Sequence, residues 1–217
     1  MNIEQARFNM IEQQIRPWNV LDQDVLDTLV VVKREQFVPE AARALAFVDT
    51  EIPLGSGQFM FTPKLEARIL QEVQLKKHET VLEIGSGSGY MAALLAHKGR
   101  SVTTVENVPA LKTLAESNLA NAGVSNVTVE LGNGAQGWEH GAPYDVIVIS
   151  GALEVLPEAF LKQVKVGGRI AAIIGQAPVM SCNIITRVSD SGYDTVKVFE
   201  TNVAYLADAA VVSHFTF

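Results

Sequence analysis

Val81-Leu82-Glu83-Ile84-Gly85-Ser86-Gly87-Ser88-Gly89-Tyr90 is the stretch whose reading decides the fold. Its first four residues, apolar except for Glu83, form the short run expected of a strand buried in a parallel sheet. The glycines that follow let the backbone turn sharply and approach a ligand closely, because no Cβ stands in the way. Residues 91–97 then read as a helix. Strand, glycine turn and helix make up the repeating unit of an open α/β sheet. Such sheets bind their ligands in the crevice beyond the carboxyl ends of the strands.

The same rhythm continues downstream. Residues 102–105 form a second strand closed by Glu106, and Pro109 opens a helix that carries Leu111, Leu114, Ala115, Leu119 and Ala122 on one face. Gly123 stands at that helix's C-terminal end, where a left-handed residue is favoured. Strands are expected over 127–131, 146–149 and 170–174, with a helix near 158–164. Residues 183–188 and 194–199 complete the series as a closing antiparallel pair. Alternation of this kind predicts an α/β fold, a doubly wound and mostly parallel seven-stranded sheet of Rossmann-like type. The order of the strands is not legible.

Upstream the texture differs. Val25, Leu26, Leu29 and Val30 keep helical spacing after Asp22, a suitable N-cap. Phe37-Val38-Pro39 stops that pattern, since a residue before proline is pushed out of the helical region. A turn-rich loop follows at 52–58, and Pro63 suits the first position of a second helix. The expected organisation is one domain over 1–217, with residues 1–75 as a helical and loop cap and 76–217 as the α/β core.

Composition narrows the function. With 217 residues, 48% hydrophobic and 19% charged, the chain can bury a core of domain size. A net charge of -7 argues against a nucleic-acid backbone as partner. Cys182 is the only cysteine, so neither an intrachain disulfide nor a thiolate metal cluster is available, which suits a reducing cytoplasm. His78, His97, His140 and His214 show no metal-ligand spacing, and no metal is expected. The first residues lack a signal-peptide core, and no apolar run reaches the roughly 18–20 residues of a membrane span.

Glu106 ends the strand after the glycine turn, about twenty residues beyond Gly85, where a carboxylate can accept from both ribose hydroxyls of an adenosine. Two cofactor classes use that arrangement. A dinucleotide loop wants its third glycine one residue later, at the position of Tyr90; here the glycine is Gly89. S-adenosylmethionine carries no diphosphate and needs no amide cradle aimed at an anion, and Glu83 suits its cationic sulfonium. The spacing therefore favours S-adenosylmethionine, with S-adenosylhomocysteine as product. Gly85, Ser86, Gly87 and Gly89 would form the turn against it, and Asn107 stands beside Glu106. Gly132-Asn133-Gly134 follows the third strand, where Asn133 could bond the adenine amine or simply make an Asn-Gly turn. Ser150 ends the fourth strand and should face the methionine part.

With those residues in place, the chain resembles the protein-L-isoaspartate O-methyltransferases from about Met10 to at least Gly175, and more weakly to the end. Lys33-Arg34-Glu35-Gln36-Phe37-Val38-Pro39 looks like the family's basic-Arg-Glu-x-Phe-Val-Pro segment. Ala46-Phe47-Val48-Asp49 and Ile52-Pro53-Leu54-Gly55-Ser56-Gly57-Gln58 are similar to its AYxD and LPIGxGQ stretches, and Gly167-Gly168-Arg169 to its late Gly-Gly turn. The resemblance implies methylation of the free α-carboxylate of isoaspartyl residues in damaged proteins. It also implies a substrate pocket at Gly57, Gln58, Phe59, Phe61 and Thr62. One departure stands out: the family follows Gly-Gln with Thr-Ile-Ser-x-Pro, and here Phe59 takes the threonine position and Phe61 the serine position. Asn133 likewise stands where the family usually has aspartate. No catalytic acid or base is identified. A different small-molecule acceptor, or cofactor binding without catalysis, stays open.

Overall fold

The computed structural model describes residues 2–209. The His214 position therefore lies outside the described residues. Helix α1 (Ile3–Met10) is capped by Asn2, whose side chain accepts from the Gln5 amide. It runs on through a π turn (Ile11–Ile15) and a 3-10 turn (Arg16–Trp18), and Asn19 ends it at φ 60°. Helix α2 (Gln23–Val31) begins as expected at Asp22, whose carboxylate accepts from the amides of Asp24 and Val25 at 2.9 and 3.2 Å. It ends before the Phe37-Val38-Pro39 stop, with a 3-10 turn over Arg34–Gln36 in the interval and another over Glu40–Leu45 beyond the stop.

Strands β1 (Ile52–Gly55) and β2 (Gln58–Met60) pair as an antiparallel hairpin, and α3 (Pro63–Glu72) follows with Pro63 in its first turn. The main sheet holds β3 (Thr80–Ile84), β4 (Ser101–Glu106), β5 (Val127–Leu131) and β6 (Tyr144–Leu153). It continues through β7 (Val164–Gln176), β8 (Val179–Arg187) and β9 (Tyr193–Thr201). Helices α4 (Tyr90–Lys98), α5 (Pro109–Asn121) and α6 (Glu158–Gln163) lie between its strands in sequence. The order is β5-β4-β3-β6-β7-β8-β9, parallel from β5 to β7 and antiparallel for β8 and β9. This is the expected doubly wound, mostly parallel α/β sheet of seven strands.

Alternation along the strands divides the core. Val81, Val146 and Val148 face one way and join Leu94 of α4 with Met10, Ile15, Leu29, Phe37 and Leu70 of the N-terminal elements. Leu82, Ile147 and Ile170 face the other way and join Phe160 of α6. Residues from α1 onward thus share one apolar cluster with the sheet. Arg169 on β7 ties the end of α3 to that sheet: its Nε donates to the Val73 carbonyl at 2.6 Å and its guanidinium bonds both oxygens of Glu79. Burial, the largest single influence, would raise the Glu79 pKa, but the Arg169 hydrogen bonds, the Lys76 amide and the charges of both residues together hold the carboxyl below its usual value.

Two expectations need correction. Strand β6 does not stop near Ser150 but runs to Leu153, with its register shifting between Val148 and Ala152. The extension continues along β7, where Ala152 and Leu153 pair with Ile173 and Ile174, and on its other side Ala152 donates to the Ala204 carbonyl at 2.9 Å and accepts from the Leu206 amide at 2.8 Å. The buried face of α5 is also narrower than its spacing suggested: Leu111, Ala115 and Leu119 are buried, while Leu114 and Ala122 are only half-buried.

Candidate active site

From β3 the chain moves outward to β4 and β5, then returns to lay β6 on the other side of β3. That reversal opens a crevice at the carboxyl ends of β3 and β6. The glycine turn fills its edge. Gly85 sits at φ +94°, and a Cβ there would stand 3.1 Å from the Ser150 carbonyl oxygen, so only glycine lets β3 and β6 approach this closely. The Gly89 amide closes the turn on the Ser86 carbonyl at 2.7 Å, and α4 starts at the next residue.

Glu106 at the tip of β4 is 5% exposed and firmly held. One carboxylate oxygen accepts from the Gly87 amide at 2.9 Å and the other from the Val108 amide at 3.0 Å. Each oxygen keeps a further lone pair for a ligand donor. Glu83 is fully buried at the end of β3; its two oxygens accept from the hydroxyls of Thr104 at 2.7 Å and Ser150 at 2.9 Å. Thr104 and Ser86 share a further hydrogen bond at 2.7 Å. Burial pushes the Glu83 carboxyl up to about 8, against the pull of those hydroxyls, and the like charges of Glu106 and Glu66 add to the rise. A cation placed beside it would draw it back down.

The crevice holds about 870 Å³ of space including its mouth. Of the residues expected to bind a cofactor, Glu83, Gly85, Ser86 and Gly87 line it, as do Glu106, Asn107, Asn133, Gly134 and Ser150. Gly89 does not: at φ +83° it faces α5, where a Cβ would lie 3.3 Å from the Ala115 Cα, so its role is helix packing. Asn133 makes the local turn considered for it. Its side-chain oxygen closes a local turn on the Ala135 amide at 2.9 Å, yet the residue still borders the cavity.

The β1–β2 hairpin lies over the glycine turn, with Leu54 3.1 Å from where a Gly87 Cβ would stand. Its second strand brings Gln58 and Phe59, and the residue after that strand, Phe61, to the same cavity. Gly57 stays at the hairpin tip with φ +72°, and Thr62 precedes α3, its carbonyl accepting from the Leu65 and Glu66 amides. Neither lines the cavity. The two phenylalanines differ in setting: Phe59 is 47% exposed and Phe61 9%. Phe59→Thr should therefore leave stability within about 0.5 kcal/mol of the original. Phe61→Ser, which empties a core position and buries a hydroxyl, should cost about 3 kcal/mol or more. Urea denaturation of both variants checks the contrast, and equal costs would contradict it.

Several lining residues escaped the sequence reading: Glu51, Glu66, Tyr90, and the stretch 204–207. Glu66 in the first turn of an amphipathic helix looks like a solvated charge until Arg34 is seen against it. Arg34 is 1% exposed, pairs with Glu66, donates to the carbonyls of Phe61 at 2.6 Å and Ala46 at 3.1 Å, and lies over the Tyr90 ring at 5.2 Å. Only its place in the Lys33–Pro39 segment marked it. Residues 204–207 follow the last strand without any motif and reach the crevice through their pairing with Ala152. Among the described residues, no cluster of His, Cys, Asp and Glu could hold a metal ion.

Comparison with known proteins fits this geometry. The profile of the protein-L-isoaspartate(D-aspartate) O-methyltransferase family matches residues 5–208. Protein-L-isoaspartate O-methyltransferase 1 of Rhodopseudomonas palustris is 40% identical over 191 residues, covering 88% of this chain and 77% of that protein. The enzyme of the same name from Herpetosiphon aurantiacus is 37% identical over 203 residues, covering 94% and 89%. A protein-L-isoaspartate O-methyltransferase from Plasmodium falciparum, solved in complex with S-adenosyl-L-homocysteine, superposes with a TM-score of 0.81. That match covers 95% of this chain and 98% of the other; at 20% identity it speaks for the fold. The chain belongs to the protein-L-isoaspartate(D-aspartate) O-methyltransferase family.

Proposed function

We infer that this protein is an S-adenosylmethionine-dependent methyltransferase that transfers a methyl group to a carboxylate of isoaspartyl residues in damaged proteins. The observation that carries the reading is one cavity, in a chain matched to the family over 5–208, bordered by the glycine turn, Glu106 and the β1–β2 hairpin. The donor set fits the cofactor. Glu106 would offer lone pairs to the two ribose hydroxyls, Asn107 and Asn133 would hold the adenine, and Glu83 and Ser150 would take the methionine part. Bound S-adenosylmethionine supplies a methyl group on a sulfonium, which leaves as neutral S-adenosylhomocysteine.

The chain's own residues then bind, align and exclude water. A substrate carboxylate has a pKa of about 4 and is ionised at neutral pH, so no general base is needed. Holding nucleophile and methyl in line supplies a large share of the rate, up to roughly 7–11 kcal/mol in well-oriented reactions. Phe59 and Phe61 make the acceptor side apolar and water-poor, and residues 1–75 serve as the substrate cap over the α/β core. The partner is a protein or peptide. No helix among the described residues is long and apolar enough to cross a membrane. A cytoplasmic location is supported by the lone Cys182, a buried thiol that burial pushes up to about 12 and that no second cysteine can join.

A second reading rests on the Phe59 and Phe61 pair. An apolar acceptor side favours a small aromatic acceptor over a carboxylate, because a buried charge without donors is penalised. Labelled methyl transfer decides between them. Incubation with an isoaspartyl peptide should give label above background and the matching aspartyl peptide none. Background label with both peptides, alongside transfer to a small aromatic acid or alcohol, would overturn the first reading in favour of the second.

A further inference from the structure

The acceptor side of the cavity has phenylalanine at positions 59 and 61, and none of the residues lining the cavity is lysine, arginine or histidine. A substrate carboxylate entering a buried site needs hydrogen-bond donors. Glu66 stands at that side. It is 3% exposed, in the first turn of α3, and lines the cavity with Phe59 and Phe61. Its Oε2 accepts from Arg34, which also grips the Phe61 carbonyl. No protein group among the described residues bonds its Oε1. One oxygen is thus fixed and the other left for a ligand.

We propose that Glu66 is an acceptor-binding residue that works as a neutral acid, its Oε1 hydroxyl donating to the substrate carboxylate. This deepens the carboxyl-methylation reading and rests on it. A carboxylic acid kept neutral in an apolar site is a competent donor. Three charged or titratable groups meet Glu66 from the elements around it: Arg34 from the 3-10 turn, Glu83 from β3 and Tyr90 from α4. Arg7 and Glu35 stand beyond Tyr90 in the same cluster. Burial is the largest influence and overcomes Arg34, so Glu66 is pushed up to about 8. Tyr90, buried further above its usual value, stays neutral. With the proton on Glu66, the Arg34 charge is uncompensated and attracts the anionic acceptor.

The test is steady-state methyl transfer to an isoaspartyl peptide between about pH 6 and about pH 9, for the wild type, Glu66→Gln and Glu66→Leu, with S-adenosylhomocysteine binding measured on each. The wild-type KM should rise as pH climbs through about 8, where the donor proton is lost. Glu66→Gln keeps a donor that does not titrate, so its KM should stay low and flat with pH. Glu66→Leu should raise KM roughly tenfold or more near neutral pH, the size of a lost bond to a charged group, with kcat changing less. Cofactor affinity should be equal in all three. A wild-type KM in Glu66→Leu, the wild-type pH rise persisting in Glu66→Gln, or a loss of S-adenosylhomocysteine binding would overturn the proposal while leaving carboxyl methylation standing. If Glu66→Leu does not fold, the wild-type and Glu66→Gln pH profiles decide alone. A wild type that fails to methylate any isoaspartyl peptide overturns the functional reading and this proposal together.

Discussion

Glu106→Ala should weaken S-adenosylhomocysteine binding by at least about two orders of magnitude. Two ribose hydroxyls donating to one carboxylate are worth roughly 1.5–3 kcal/mol each, and every 1.4 kcal/mol is tenfold in affinity. The substitution has a structural cost as well. It removes the acceptor of the Gly87 and Val108 amides, now bonded at 2.9 and 3.0 Å, and so loosens the glycine turn itself. Glu106→Gln separates the two effects, because it keeps one acceptor oxygen and nearly the same shape. Its affinity should fall less, by about tenfold, with a smaller loss of thermal stability. Calorimetry on folded protein measures the first effect and thermal unfolding the second. A folded Glu106→Ala variant that binds the product cofactor as the wild type does would remove Glu106 from the ribose site.

Arg34→Met should destabilise the protein by about 3–5 kcal/mol, because three buried acceptors lose their donor at roughly 1–3 kcal/mol each. Arg34 is 1% exposed, so the lost guanidinium cannot be replaced by bulk water. The carbonyls of Ala46 and Phe61 lose their donor, and Tyr90 loses the cation over its ring. The pH dependence has a definite sign. Burial raises the Glu66 pKa and Arg34 lowers it, with a net value of about 8 in the wild type and a higher one in the variant. A raised carboxyl contributes stability that is fully present below the unfolded-state value and is lost as pH rises through the folded one. Both proteins lose it alike up to about pH 8. Above that the wild type ionises and levels off, while the variant continues to lose stability. Urea denaturation near pH 6 and near pH 9 should therefore give a larger difference at the higher pH. An equal or smaller one would show that Arg34 does not act through Glu66.

How much of this was legible in the sequence depended on whether a residue's role was local. Residues 81–90 declared strand, turn and helix because apolar run, glycines and helical spacing are neighbours in the chain. Asp22 and Pro63 marked their helix starts for the same reason. The π turn over Ile11–Ile15 left no local mark, and neither did the extension of β6, whose partners on β7 and at Ala204 and Leu206 are distant in the chain. The site divided in the same way. Glu106 follows its strand at a spacing that carries meaning, and it borders the crevice. Gly89 belongs to the same motif, yet its left-handed angle serves packing against Ala115. Glu66 could not be recognised, because a glutamate in a first helical turn normally faces water, and only the fold carries Arg34 to it.

The most direct test of the central claim, that the crevice between β3 and β6 holds an adenosyl sulfonium compound, is calorimetric titration of the purified, folded wild-type protein. Saturable one-to-one binding of both S-adenosylmethionine and S-adenosylhomocysteine is expected, with no binding of a nicotinamide dinucleotide. Heat from the dinucleotide alone, or from none of the three, would contradict it.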